Sequence, residues 1–275
     1  MTVSVLILTL NEEVNIEGCL DSLQWADDVV VLDSFSSDRT AQIAASRGAR
    51  VIQREFDNYA GQRNFGLRQI QYKHEWLLMI DADERVTPGL RAEIAATLPT
   101  ADGGTTLYAM RRKDFLLGRW IRRSSGYPTW FGRLVRVGRV WVERAINEEY
   151  HTDGKALQLR EHLDHFPFNK GFSAWFVKHD RYSSMEASMM LDGRQDVRWS
   201  DLWCADAVRR RRALKGIVYS MPARPLVVFL GLYIVKGGVL EGRAGLTFSL
   251  LRTWYEFMID CKRRELQRRS QQLPV

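Results

Sequence analysis

Three cysteines in 275 residues, Cys19, Cys204 and Cys261, are odd in number and far apart, which excludes a disulfide framework and a cysteine zinc cluster. That usage fits a reducing cytoplasm. Long hydrophobic runs are missing too. The longest, Leu226 to Val235, has 10 residues, whereas a helix that spans a bilayer needs about 20. The apolar opening, Val3 to Leu10, lacks a basic leader and a small-residue cleavage site, so it reads as a first buried strand rather than a secretory signal. No Gly-x-x-x-x-Gly-Lys-Ser/Thr loop and no Gly-x-Gly-x-x-Gly turn occurs, and P-loop NTPases and dinucleotide oxidoreductases lose their main support. Internal repeats and low-complexity segments are also lacking.

What is present is the composition of a folded chain, 45% hydrophobic with a net charge of +7. The charge is unevenly placed: residues 204–275 hold 14 Lys or Arg against 5 Asp or Glu, so the tail carries +9 and the remainder about −2. Apolar sequence separates these basic residues, which favours an anionic membrane surface over nucleic acid. Arg209 to Arg212, the aromatic Phe229, Tyr233, Trp254 and Tyr255, and Lys262 to Arg264 frame the short apolar run. The pattern predicts an interfacial or re-entrant attachment. Packing on the rest of the chain, or an oligomer contact, is the alternative.

Residues 1 to about 100 alternate apolar runs (Val3 to Leu10, Val29 to Asp33, Arg50 to Gln53, Trp76 to Asp81) with longer amphipathic stretches. Such alternation predicts a parallel sheet covered by helices, with ligands at the carboxyl ends of the strands, where Asn11, Asp33 and Asp81 fall. Helix starts are legible at Thr87, a cap followed by Pro88, and near Asp38. From about 101 to 165 shorter strand-like pieces follow, Thr106 to Met110, Arg133 to Val137 and Leu157 to Leu163. A helical pattern returns from Lys170 to Met190.

Asp81-Ala82-Asp83-Glu84 ends the strand Trp76 to Ile80, so an apolar strand delivers several carboxylates at its mouth. Like charges this close repel unless a cation joins them. In an extended segment Asp81 and Asp83 point the same way, and their hard oxygens suit Mg²⁺ or Mn²⁺. The competing reading is an acidic cap for the helix that Thr87 begins.

Thr9-Leu10-Asn11-Glu12-Glu13, Asp33-Ser34-Phe35-Ser36-Ser37-Asp38-Arg39-Thr40 and Gln62-Arg63-Asn64-Phe65-Gly66-Leu67 precede that motif in order. With these four motifs the sequence resembles a family 2 glycosyltransferase, and within the family it is similar to the glucosyltransferases that build lipopolysaccharide cores. The resemblance covers residues 1 to about 100 strongly and 130 to 190 more loosely. It implies the GT-A nucleotide-diphospho-sugar transferase fold, an α/β architecture with a Rossmann-like, mostly parallel sheet. The domain would run over 1–200, with a nucleotide-sugar half at 1–100 and an acceptor half at 101–200, and the helical, membrane-associating extension would be 201–275.

The resemblance also implies roles. Thr9, Asn11 and Glu12 would line the nucleotide, Asp33 would accept a hydrogen bond from the base, and Arg63 would meet a phosphate or an acidic neighbour. Asp81 would face the ribose and metal, Asp83 would hold the metal against the diphosphate, and His165 would complete the metal shell. Relatives carry a base after an Arg-Leu-x-Arg strand, here Arg133-Leu134-Val135-Arg136, which points to Glu148 or its neighbour Glu149. Arg181, one turn from Lys178, resembles the Arg of a Gln-x-x-Arg-Trp element that meets diphosphate, though a solvated basic face is the plainer reading. Trp120, Tyr127, Trp130 and Phe131 could stack on acceptor sugars or serve as core.

The implied activity is inverting, metal-dependent transfer from a UDP-sugar to a lipid-linked or lipopolysaccharide acceptor, by a protein attached to the inner face of the membrane. A sugar nucleotidyltransferase would instead carry a Gly-rich basic loop where Asn11-Glu12-Glu13 stands. A noncatalytic nucleotide-sugar-binding scaffold is the third reading.

Overall fold

The computed structural model of the protein describes residues 2–143, 149–191, 200, 203–204, 210 and 223–275. The chain forms two compact units, Met1–Phe115 with Tyr127–Lys170, and Leu116–Gly126 with Gly171–Val275.

In the first unit the apolar runs become parallel strands β1 (Val3–Thr9), β2 (Val29–Asp33), β3 (Arg50–Gln53) and β4 (Trp76–Asp81), ordered β3-β2-β1-β4. Helices α1 (Glu13–Asp21), α2 (Thr40–Ser46) and α3 (Tyr59–Gln69) follow the first three strands, and α4 (Pro88–Thr97) follows the short β5 (Glu84–Val86). The central strands are apolar at almost every position because both faces are covered. Val3, Val5 and Ile7 pack with Ile16, Cys19, Leu90 and Ile94, while Leu6 packs with Leu67, Leu77 and Met79 on the other side. Gly66 lets α3 close on β1, since a Cβ there would stand 2.4 Å from Leu6 Cδ2. Thr87 caps α4 as expected: its hydroxyl oxygen accepts from the Leu90 N–H at 3.1 Å, with Pro88 in the first turn.

Beyond β4 the sheet continues through β8 (Trp130–Arg136), β6 (Thr105–Leu116) and β11 (Lys155–His165) to β5. β8 is antiparallel to both its neighbours, β11 is parallel to β6, and β5 is antiparallel to β11. β6 turns through Gly118 into the two-residue β7 (Arg119–Trp120), and β9 (Val140–Glu143) pairs with β10 (Glu149–Thr152) in a separate ribbon. β6 and β11 lose step twice, between Lys155 and Ala156 and again between Gln158 and His162. Gln158 lies opposite Ala109 and His162 opposite Arg111, so β11 takes four steps where β6 takes two. Register then holds to the end, placing His165 opposite Asp114.

The second unit contains α5 (Gly171–Leu191), α6 (Arg224–Leu230) and α7 (Gly242–Ser270). A π-helical turn, Gly231–Val235, and a 3-10 turn, Gly238–Glu241, join α6 to α7. The Glu241 carboxylate accepts from the Arg123 and Ser124 N–H groups and the Ser124 hydroxyl, tying Leu116–Gly126 to that bend. The compact division falls at Lys170/Gly171, and α5 packs along α7 and buries Trp175, Ser183 and Ala187. Among the described residues no single helix is long and apolar enough to cross a membrane.

Candidate active site

The loops after β1 and β2 are stitched to each other. Asp33 is completely buried, and its carboxylate accepts from the Thr9 hydroxyl (2.8 Å), the Ser36 N–H (2.8 Å) and the Ser36 hydroxyl (2.5 Å). Asn11 sits at φ +53°, a left-handed conformation that Asn tolerates better than most residues. Its N–H donates to Ser36 Oγ and its Oδ1 accepts from the Ser37 N–H, both at 2.8 Å. The Glu12 carboxylate accepts from Asn15 Nδ2 at 2.8 Å and Lys170 Nζ at 3.0 Å. Burial, reinforced by the Asp83 charge, pushes the Glu12 carboxyl above the usual range despite those two donors. Asp38 and Arg39 serve the fold: Asp38 accepts from the Thr40 and Glu13 N–H groups, and Arg39 pairs with Glu13.

The acidic motif is not one extended segment. Asp81 closes β4, residues 82 and 83 form a turn, and Glu84 opens β5, so Asp81 and Asp83 meet different partners. Asp81 stands between two guanidiniums, Arg63 at 2.9 Å and Arg133 at 2.7 Å, whose own side chains are almost fully buried. Burial opposes its charge, but Arg133, Arg63 and Arg112 outweigh it and hold the carboxyl far below the usual range. Guanidiniums thus neutralise Asp81, and Arg63 has an acidic neighbour in it. Glu84 is fully buried. It accepts from the Asp81 N–H at 3.0 Å and Arg133 at 2.8 Å, with Arg112 at 3.5 Å. Arg133 was visible in sequence only as part of a strand motif, and Glu84 only as an adjacent acid.

Asp83 faces the other way. Its carboxylate lies 3.3 Å from His165 Nε2, and His165 Nδ1 lies 2.7 Å from Asp114 Oδ1. Burial and Arg112 disfavour charge on this imidazole, yet Asp83 and Asp114 prevail and raise its pKa. Asp114 is held below the usual range: burial raises it, but the hydrogen bond with His165 and the Arg112 charge lower it more. Nothing in the sequence around Asp114 announces this contact. It follows from the β6–β11 register alone. His162, three residues before His165, pairs with Glu161 and Asp164 instead, so the two imidazoles do not converge.

Thr9, Asn11, Glu12, Asp33, Arg63, Asp81, Asp83 and His165 therefore all belong to the first unit, at or beside the carboxyl ends of its strands. Glu148 lies outside the described residues, and Glu149 opens β10. Arg181 is exposed on α5 in the second unit. Of the aromatic residues, Trp130 and Tyr127 flank Arg111, while Phe131 lies under Arg112 at 4.2 Å.

Residues 4–173 match the model of glycosyl transferase family 2. Over 271 residues the chain is 26% identical to the lipopolysaccharide core biosynthesis glycosyltransferase LpsC of Rhizobium meliloti, covering 95% of this chain and 92% of that one. It is 38% identical over 211 residues to an uncharacterized glycosyltransferase of Rickettsia felis, covering 69% and 70%. Among solved structures, glucosyl-3-phosphoglycerate synthase of Mycobacterium tuberculosis in complex with Mn²⁺, UDP and glucosyl-3-phosphoglycerate overlaps 41% of this chain and 44% of its own, at 28% identity and TM-score 0.36. With the family model spanning more than half of the sequence and a parallel sheet whose strand mouths carry the matched motifs, the chain belongs to glycosyl transferase family 2, as a glycosyltransferase of the GT-A fold.

Proposed function

We propose that the chain transfers a sugar, with inversion, from a UDP-sugar to a lipid-linked or lipopolysaccharide acceptor at the inner face of the cytoplasmic membrane, and that it does so with Mg²⁺ or Mn²⁺. One observation carries the metal clause: Asp83 and His165 Nε2 face each other at 3.3 Å while Asp114 holds the opposite ring nitrogen. A carboxylate on Nδ1 orients the ring so that Nε2 points at Asp83, and such a carboxylate is the usual outer support of a metal-bound His. A carboxylate oxygen and an imidazole form a donor set that Mn²⁺ accepts and Mg²⁺ tolerates. Among the described residues no three His, Cys, Asp or Glu side chains converge on one point, so the remaining positions fall to diphosphate oxygens and water. When bound, the ion supplies charge neutralisation for the departing nucleoside diphosphate.

The chain's own groups supply the rest of the reading. Asp81, locked by Arg63 and Arg133, is a fixed ionised acceptor for ribose hydroxyls rather than a second metal ligand. Thr9, Asn11, Glu12 and Asp33 line the nucleotide side. Glu148 takes the proton from the acceptor hydroxyl, and Arg181 is assigned to the diphosphate. LpsC supports the lipopolysaccharide acceptor by its name and its near-complete overlap.

Calorimetric titration with UDP, with and without Mn²⁺, tests the site. Wild type should bind more tightly with the ion, and Asp83→Asn and His165→Ala should lose that increment with their folds intact. Unchanged Mn²⁺-dependent binding in Asp83→Asn would refute the assignment.

A further inference from the structure

Along α7 of the second unit the exposed positions recur at helical spacing: Arg243, Leu246, Leu250, Trp254, Phe257, Cys261 and Arg264. All but the cationic ends and Cys261 are large and apolar, and Trp254 is 49% exposed. The other side of α7 buries Leu251, Tyr255 and Ile259 together with Glu256 and Asp260, which pair with the completely enclosed Arg224. α7 thus has apolar residues on both sides, whereas a helix in water normally exposes a polar face. The bend between α6 and α7 extends the apolar surface through Leu226, Leu230, Ile234, Val235, Val239 and Leu240, with Val235 83% and Leu240 70% exposed.

We infer that this bent helix pair is a monotopic anchor that sinks into a single leaflet of an anionic bilayer. The inference deepens the inner-face placement proposed above and rests on it for the enzyme's working surface. Neither helix alone passes as a span by length and composition, but Arg224–Val235 and Gly238–Ser270 pass together, bent by 66°. A bend of that size sets the two helices at a steep angle to each other, so the pair does not form one straight rod. From Leu246 to Phe257 the stripe runs about 17 Å at 1.5 Å per residue, a length that can lie along the interface with both ends at the headgroups. Arg243 and Arg264 bracket it, and Lys262, Arg263, Arg268 and Arg269 continue the positive charge toward the C-terminus. Cations at the edges of an apolar stripe complement anionic headgroups. Lys236, at the bend itself, has its ammonium beside Gly126, so its stem can lie along the apolar surface with the charge drawn back.

Flotation of the full chain with vesicles of phosphatidylglycerol and phosphatidylethanolamine tests this, with phosphatidylcholine vesicles beside them. Wild type should float with the anionic vesicles and bind phosphatidylcholine more weakly. The triple variant Leu250→Ser, Trp254→Ser, Phe257→Ser should lose about tenfold or more in affinity. These side chains are exposed, and circular dichroism checks that helix content is kept. As a second measurement, brominated lipid should quench tryptophan emission more in wild type than in Trp254→Phe. Equal flotation of wild type and triple variant, or equal quenching with and without Trp254, would overturn the inference. So would a wild-type dimer in solution that the triple variant splits while neither form binds vesicles. Mn²⁺-dependent UDP titration of the same preparations separates the two proposals: lost vesicle binding with intact UDP binding tells against the anchor alone, and the converse against the donor site alone.

Discussion

Two neighbouring acids solve their mutual repulsion by different means. Asp81 is neutralised by guanidiniums, and Asp83 is left to an imidazole that a second carboxylate orients. Removing the shared cation should therefore be costly. Arg133→Met strands the enclosed Glu84 and half of the Asp81 clamp, and should lower stability by about 3–5 kcal/mol in urea unfolding. Arg63→Met, which touches Asp81 but not Glu84 in this cluster, should lose less, and the opposite order would disprove the account. Asp114→Asn should weaken Mn²⁺-dependent UDP binding about 10- to 100-fold, as expected for the outer support of a metal-bound His. Of this chemistry, the acidic motif was readable from residue type and spacing, and His165 from the family resemblance. The role of Asp114 was not, because it depends on which residues of two distant strands stand side by side.

Elements were legible in proportion to how one-sided their environment is. β2, β3 and β4 start and stop where their apolar runs do, and for β2 and β4 burial on both faces writes an uninterrupted signal. β6, β8 and β11 run longer than their apolar cores because Arg, Asp and His of the site occupy their ends. The start of α4 was clear because Thr87 and Pro88 are local signals, and Thr87→Ala should cost about 1 kcal/mol of stability. α5 was legible as a helix, but its pairing with α7 was not, since α7 lies far along the chain. There His179 stacks on Trp175 at 3.7 Å and meets the Tyr255 ring edge-on. Tyr255 is thus a buried packing residue rather than the interfacial aromatic expected from sequence. Burial drops the His179 pKa from 6.5 to about 4. The unfolded chain then holds a proton that the folded one refuses, so this stabilisation is complete above 6.5 and is lost as pH falls toward about 4. Thermal melts at about pH 7 and about pH 5 should differ less in His179→Phe than in wild type.

Across the whole molecule, charge is sorted along the chain, with a slightly acidic first part and a strongly basic tail. Attachment that uses this asymmetry should weaken on raising salt from about 0.1 M to about 0.5 M, as the screening length shrinks. The apolar share of binding should persist, so flotation should fall without vanishing. Loss of all binding in high salt would mean that the exposed stripe adds nothing.

The second broken step between β6 and β11 has an evolutionary corollary. Because strand faces alternate, the surplus at residues 159–161 is an even number, which keeps His165 on the side of Asp83. Shortening that stretch by a single codon would swing the imidazole to the far side of the sheet and abolish the pairing with Asp114, although most of the hydrophobic interior would be untouched. Loss of two residues there would keep the imidazole on its face of the sheet, whereas loss of one would not.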